Sequence, residues 1–600
     1  MKRFAVLFLV LAFALPLFAA GGASQQQSAA GSGERVITHV TPRPLTVSPQ
    51  GSGDPIYHPQ PATYYVSNPR WPNQPPVSNR GGFPIVQQPL TVRLAHPYYS
   101  YVTDYYDNDQ VRYLEALTNV RIEWDLLPEV NTMDRVNLMF ASGERLPDAF
   151  HAVSFPTAML ITLGEAGLIM PLQDIIADNA HVFRMMVEQN PGVTALTTMS
   201  DGNTYTMGTV GLAVHPNYYA MRFWINERFM NTLGISLPRT TEEYYQYLIA
   251  VRDRDPNGNG LRDEIPFISA IDGWHAHYDG FLMNSFIINS TSADSNPINR
   301  RRMFRTETGQ IDVSYNKPEF RQGLEYLHRL YAENLMAPET FTLNRAGMIA
   351  LIENPGVPIV GSLPSGGPHE FANTDGERRT HYTHLPPLRG PNGVQLSWYD
   401  GEFAGLGLGT FVLTKDTQVP EVLVKWNDYW YTEDMYTRNR YGIEGRDWYQ
   451  PDPSEIGFTG EQVMYAEILR WGTPQNAYIG RSAGSWLRHP TFNRVTDDYY
   501  QLENRLWRAT MDYMPYRFER NVPGSLPFTV EEARDYTMLN AAIIEYVEQT
   551  MAQFVTGRLA LNDANWNNYV QTIDRLGLSQ LLRVTQSAFD RTWGEILGYR

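Results

Sequence analysis

From about Leu90 to the C-terminus, short runs with every second residue apolar take turns with longer runs whose apolar residues recur every three or four positions. A chain patterned this way folds as helices packed on a largely parallel sheet, because each strand and each helix has one apolar face to bury. LTVRLA predicts a strand through the alternation of Leu90, Val92 and Leu94. DNDQVRYLEALTNV follows as a helix, RIEWDLL as a strand, NTMDRVNLMFASGE as a helix and LPDAFHAV as a further strand. The helix in LPRTTEEYYQYLIAVRD is the best marked. Thr240 and Glu243 have capping-box spacing, and Tyr244, Tyr247, Leu248 and Val251 share one face, with Tyr245 undecided between core and cleft. Helices are also predicted in FRQGLEYLHRLYAEN, PEVLVKWNDYWYTE and YTMLNAAIIEYVEQTMAQF, whereas Ser365 to Gly393 reads as a long Gly/Pro-rich loop. Trp224 and Trp426 sit in strongly periodic runs and are assigned to the core.

What precedes this body is different. Lys2 and Arg3 supply a positive start, Phe4 to Phe18 is an unbroken apolar run, and small residues follow. The run is short for a membrane span and has the order of parts of a secretory signal peptide, so 1–21 is expected to be a leader. From 22 to 88 the chain is rich in Ser, Gln, Gly and Pro and reads as a tether. Net charge is −16, or −18 without Lys2 and Arg3, and there is no compact basic stripe; nucleic acid is not expected as a partner. Cysteine is absent, which excludes disulfides, thiolate catalysis and Cys-ligated metals.

One segment carries specific chemistry. In DRDPNGNGLRDEIPF, oxygen-bearing side chains fall at Asp255, Asn257, Asn259, Asp263 and Glu264, with Gly260 at the sixth place and the Leu261 carbonyl at the seventh. Alternating oxygen donors around a glycine turn can wrap one hard cation, and carboxylates with amides suit Ca²⁺. The twelfth place, normally a bidentate Glu, is Pro266, and IPFISA reads as a strand rather than a second helix. That favours a fixed structural ion over a Ca²⁺ sensor.

No catalytic constellation matches this specificity. HExxH, a GxSxG elbow, a Walker loop and a Rossmann fingerprint are all missing. GLGLGT at Gly405 to Thr410 has the wrong spacing for phosphate and reads as a strand packed close to another backbone. His275 and His277, two apart, fit hydrogen-bonded histidines better than a metal pair. With 64 acidic residues, a carboxylate pair of glycosidase type is always available and decides little.

Taken in order, SGERLPDAF, GLIMPLQDII, DGNTYTM, FWINERFMNTLGISLPRTTEEYYQYL, DPNGNGLRDEIPF, YLHRLYAENLMAPETF, YGIEGRDW and FVTGRLALNDANWNNYV resemble the family 1 extracellular solute-binding proteins of bacterial ABC importers. The branch is the one that includes the alginate-binding periplasmic proteins. The resemblance implies a type II periplasmic-binding-protein fold, with two α/β lobes joined by hinge crossovers around a ligand cleft. It divides the body into 89–212 (lobe 1, first part), 213–405 (lobe 2 with the calcium loop) and 406–600 (a remainder crossing between both). It also implies a structural Ca²⁺ held by Asp255, Asn257, Asn259, the Leu261 carbonyl, Asp263 and Glu264. The implied function is non-catalytic capture of an oligosaccharide for ABC permease subunits by a monomer. The expected location is periplasmic or extracellular, soluble once the leader is removed, since the Cys that lipid-anchors many relatives is missing. Aromatics are 12% of the chain, and rings beside polar groups in loops suit sugars. The expected ligand-binding residues are Tyr98, Tyr99, Tyr101, Trp274, His275, Trp398, Tyr399 and Asp400. Two alternatives stay open: a calcium-dependent exported polysaccharide hydrolase or lyase, and the same fold binding a peptide or other solute.

Overall fold

Leu90 to Pro97 (β4) forms the centre of the first sheet, and its burial explains its composition. Val92, Leu94, Ala95 and His96 are buried, because parallel neighbours flank the strand. Val120–Leu127 (β5) pairs along its whole length, Leu90 opposite Val120 through Pro97 opposite Leu127, and Ala149–His151 (β6) pairs on the other side. A computed structural model of the chain describes residues 36–41, 63–79, 82–128, 132–189, 191–209, 219, 221–289, 302–373, 376–399, 407–456, 462–463, 466–469, 474–480, 498–524 and 526–599. The leader assignment at 1–21 lies outside them.

The first sheet runs β5-β4-β6-β13-β7, with Gly407–Leu413 (β13) and Met207–Thr209 (β7). It is mixed rather than largely parallel. β13 is antiparallel to both β6 and β7, because it arrives from the other lobe and enters the sheet from the opposite direction. The described part of GLGLGT, from Gly407 to Thr410, is thus strand backbone between two others, as its glycines suggested. Its core joins Val92, Leu94, Ile122 and Trp124 to Val422, Leu423, Trp426 and Trp430 of the helix Pro420–Tyr429 and its end.

The second lobe holds the three-stranded sheet β11-β8-β12: Phe223–Asn226 (β8) between Ser362–Pro364 (β11) and Tyr382–His384 (β12), both antiparallel to it. A separate antiparallel pair joins Met303–Arg305 (β9) and Ile311–Val313 (β10). The helix Thr241–Asp253 has its capping box, with Thr240 and Glu243 each satisfying the other's backbone N–H. Tyr245 proves buried at its ring, and its hydroxyl donates to Glu333 at 2.5 Å. The C-terminal helices Val530–Val555, Asp563–Arg575 and Leu578–Ile596 complete this lobe's core through Ile543, Val547, Phe554, Tyr569 and Trp593. Burying each such side chain contributes about 1.5–3 kcal/mol. Trp224 and Trp426 are both fully buried.

Two readings need correction. The tether assigned to 22–88 contains structure: Val36–Thr41 (β1), Thr63–Ser67 (β2) and Val77–Ser78 (β3) form an antiparallel sheet. Tyr65, Val77, Ile85 and Val86 are buried, and the amides of Asn68 and Gln74 donate to Glu421 at 2.7 and 3.1 Å. Composition hides this because four apolar residues suffice when a finished lobe supplies the rest of the core. IPFISA is bridged at Ile265 to Val360 and at Phe267 to Met336, and the Ile268 N–H donates to the Ser362 carbonyl, but it does not form a continuous strand. Among the described residues no helix is long and apolar enough to cross a membrane.

Candidate functional site

The path of the chain places one edge of each sheet toward the crossovers. It leaves the first sheet after β7, enters the second at β8 and returns to the first at β13, and the later helix Asp498–Tyr513 packs again on β12 of the second. Arg222 and Phe223, first in lobe 2, stand beside Ser365 and Pro364 at the end of β11 and beside Leu385 after β12. Where β13 begins to pair with β6, Phe411 stands opposite His151, the last residue of β6. The C-terminal ends of β4, β6, β11 and β12 therefore all lie on the hinge side of their sheets. Carboxyl ends of strands are where open α/β sheets bind ligands.

After β4, Tyr98 is 42% exposed, while Tyr99 and Tyr101 are half-buried and stacked, centroids 5.6 Å apart and planes 22° apart. Gly480, at φ +96°, lies against this pair; a Cβ there would come within 2.3 Å of the Tyr99 ring. Beneath them sits a pair no motif announces. His96 and His151, both fully buried, face each other with Nδ1 atoms 3.1 Å apart. Burial lowers the His96 pKa to about 4, only partly offset by bonds to the Ile479 and His151 carbonyls, and pushes His151 well down too. They are missed in sequence because their shared position follows from strand register alone.

In lobe 2, Trp274 stands between Gly273 at φ +98° and His275 at φ +53°, and its carbonyl accepts from the Gly366 N–H at 2.8 Å. Its indole lies on Gly366, where an added Cβ would meet the ring at 2.1 Å. His275 is buried with Nδ1 lacking a hydrogen-bond partner, and burial lowers its pKa to about 3. His277 instead pairs with the carboxylate of Asp279. The third group adjoins the crossover before β13: Trp398 is half-buried, and Tyr399 stacks on Tyr219 at 4.9 Å. Asp400 lies outside the described residues. Apart from Asp400, the expected ligand residues thus fall into three groups beside the crossovers, and His275 is the one among them that is buried.

The loop from Asp255 to Glu264 is wound tightly. The Asp255 carboxylate accepts from the N–H groups of Gly258, Asn259 and Gly260 at 2.9–3.1 Å, and Asp255, Gly258 and Gly260 all have positive φ. The Asn257 and Asn259 amides both reach Asp263, at 3.0–3.2 Å. Glu264 Oε2 is buried without a hydrogen-bond partner, and burial, then the charges of Asp255 and Asp263, raise the Glu264 pKa. Among the described residues no group of three or more His, Asp or Glu side chains is assembled around a metal position. The donors still fit a cation: one Glu264 carboxylate oxygen is orphaned, and Asp255, Asn257, Asn259 and Asp263 crowd oxygen-bearing side chains onto the same turn.

No protein-family model matches the chain. FusA, a fructooligosaccharide ABC-transporter substrate-binding protein of Streptococcus pneumoniae, is 25% identical over 496 residues, covering 80% of this chain and 86% of FusA. The structure of FusA with kestose superposes with a TM-score of 0.69 at 22% identity, covering 84% of this chain and 100% of that one. An HMO-binding solute-binding protein of Bifidobacterium longum infantis gives 0.68 at 18% identity, with coverages of 84% and 99%. Alginate-binding AlgQ2, solved without calcium ion, gives 0.62 at 19%, again covering 84% and 99%. An EF-hand mutant of FusA has also been solved. The fold of this chain is that of the ABC-transporter solute-binding proteins.

Proposed function

We infer that this protein captures an oligosaccharide between its two lobes and delivers it to an ABC importer without altering it. The observation that carries the reading is the convergence of aromatic and polar groups on the hinge-facing edges of both sheets, in a fold shared with sugar-capturing proteins. Tyrosine and tryptophan rings cover the apolar faces of sugar rings, and carboxylates, amides and guanidinium groups meet the hydroxyls. Lobe closure then makes affinity depend on how much of the protein is in the closed state.

In this reading Tyr98, Tyr99, Tyr101, Trp274, His275, Trp398, Tyr399 and Asp400 face the ligand. Asp255, Asn257, Asn259, Asp263 and Glu264, with the Leu261 carbonyl, would hold one Ca²⁺. Its chemistry there is structural: it neutralises carboxylates crowded onto one turn and pins the segment leading to Trp274. The mature protein is exported, monomeric and docks on permease subunits. Incubating it with a bound glycan and weighing the products by mass spectrometry tests the function. Intact ligand in stoichiometric yield supports capture; accumulation of shorter sugars identifies a hydrolase or lyase.

A further inference from the structure

Resting on the carbohydrate reading, the geometry of lobe 2 points to the charge of the ligand. We propose that the Trp274 edge is a subsite for a neutral, hydroxyl-rich sugar ring, with Glu370 as the group that rejects acidic sugars.

Trp274 is a fixed platform. Left-handed residues flank it on both sides, its carbonyl is tied to Gly366, and its indole rests on the Gly366 backbone. The His369 ring stands 6.0 Å away, tilted by 43°, and the His275 ring 5.8 Å away. His275, 8% exposed, closes the edge from beneath, with its Nδ1 buried and without a hydrogen-bond partner.

Beside the platform, Arg345 Nε lies 2.8 Å from Glu370 Oε2, and Arg345 Nη2 donates to the His369 carbonyl at 3.3 Å. The Arg345 backbone N–H donates to Asp272. The Nε–Nη2 edge of Arg345, one through which a guanidinium can grip a carboxylate bidentately, is therefore turned toward Glu370 and the His369 carbonyl, although the Nε hydrogen has no aligned acceptor there. The Arg345 side chain is 41% exposed and that of Glu370 20%, and the second Glu370 oxygen lies 3.6 Å from His369 Nε2. One donor next to one acceptor matches a hydroxyl, which accepts from the first and donates to the second. A uronate carboxylate has no proton to give Glu370 and meets its charge head-on. Arg222, the other guanidinium at this edge, is fully buried and donates to the Gly366 carbonyl at 2.6 Å and to Thr510 Oγ1 at 3.2 Å. The chain's net charge of −16 acts the same way at long range.

The full-length protein, with calcium present, is screened on an array holding neutral fructo-, galacto- and lactosamine-type oligosaccharides beside oligouronides from alginate and polygalacturonate. The strongest binder is titrated by calorimetry against the wild type, Trp274→Ala, Trp274→Phe and Glu370→Gln, with melting temperatures alongside. A neutral glycan is expected to bind best. Trp274→Ala and Glu370→Gln should weaken it about 10- to 100-fold, as loss of a buried ring contact or of a hydrogen bond to a charged group does. Trp274→Phe should recover part of the loss, and Glu370→Gln should narrow the preference over oligouronides. An oligouronide as best ligand of the wild type, or an affinity unmoved by both Trp274→Ala and Glu370→Gln, overturns the subsite. A wild type that binds no glycan at all overturns the carbohydrate reading and this inference with it.

Discussion

Replacing Arg302 with Met should cost lobe 2 a large share of its stability, by an amount that depends on pH. Arg302 is fully buried and held at φ +49°. It donates to Asp279 at 2.8 Å, to Glu548 at 2.7 Å and to Asn289 at 3.0 Å, tying the segment around 277–289 to the helix Val530–Val555. Burial alone would raise the Asp279 pKa; the Arg302 charge, helped by His277, overcomes this and holds it well below the usual carboxylate range. A carboxylate so depressed contributes stability that is fully present above its unfolded pKa of about 4 and is lost as pH falls through the folded value. Without Arg302, Asp279 stays buried with only Asn289 and His277 beside it, and breaking a buried pair from one side costs about 3–5 kcal/mol. Guanidinium unfolding of the full-length protein at pH 7, followed by tryptophan fluorescence, should show that loss. At pH 4.5 the gap between variant and wild type should narrow, because an unopposed buried carboxyl takes a proton and no longer needs a cation. Arg302→Met with Asp279→Leu should recover much of the loss. A pH 7 difference below about 1 kcal/mol, or one that does not change with pH, would refute the argument.

Three further outcomes are expected. Calcium at about 100-fold above its Kd should stabilise the protein by roughly 2.7 kcal/mol; chelation should lower the Tm, and Asp255→Ala with Asp263→Ala should erase the difference. His96 and His151 are neutral in the fold, so stability should be full above pH 6.5 and fall with acidification by about 1.4 kcal/mol per pH unit for each, down toward its folded pKa. His96→Gln should flatten that slope, as measured by urea unfolding between pH 7 and 4.5. Gly390→Ala places a methyl 1.8 Å from the Ser285 carbonyl oxygen and should lower stability by about 1–3 kcal/mol, read from the denaturation midpoint.

Local chemistry was legible without a structure. The capping box at Thr240 and Glu243 depends on residues three apart, and the helix forms where they placed it. Loop oxygens from Asp255 to Glu264 and the burial of Trp224 and Trp426 are equally short-range, the latter because strong periodicity leaves little choice of face. Long-range pairing was not legible. Nothing within β13 says that it enters the first sheet antiparallel, since that follows from the lobe the chain has just left. Residues 63–88 look like tether because their few apolar side chains bury only against a lobe built elsewhere. The ion cluster of Asp279, Arg302 and Glu548 spans up to 269 positions, and His96 meets His151 across 55. Such contacts carry no sequence period, and only closure of the tertiary fold, where register and crossover direction are set together, brings them within reach of one another.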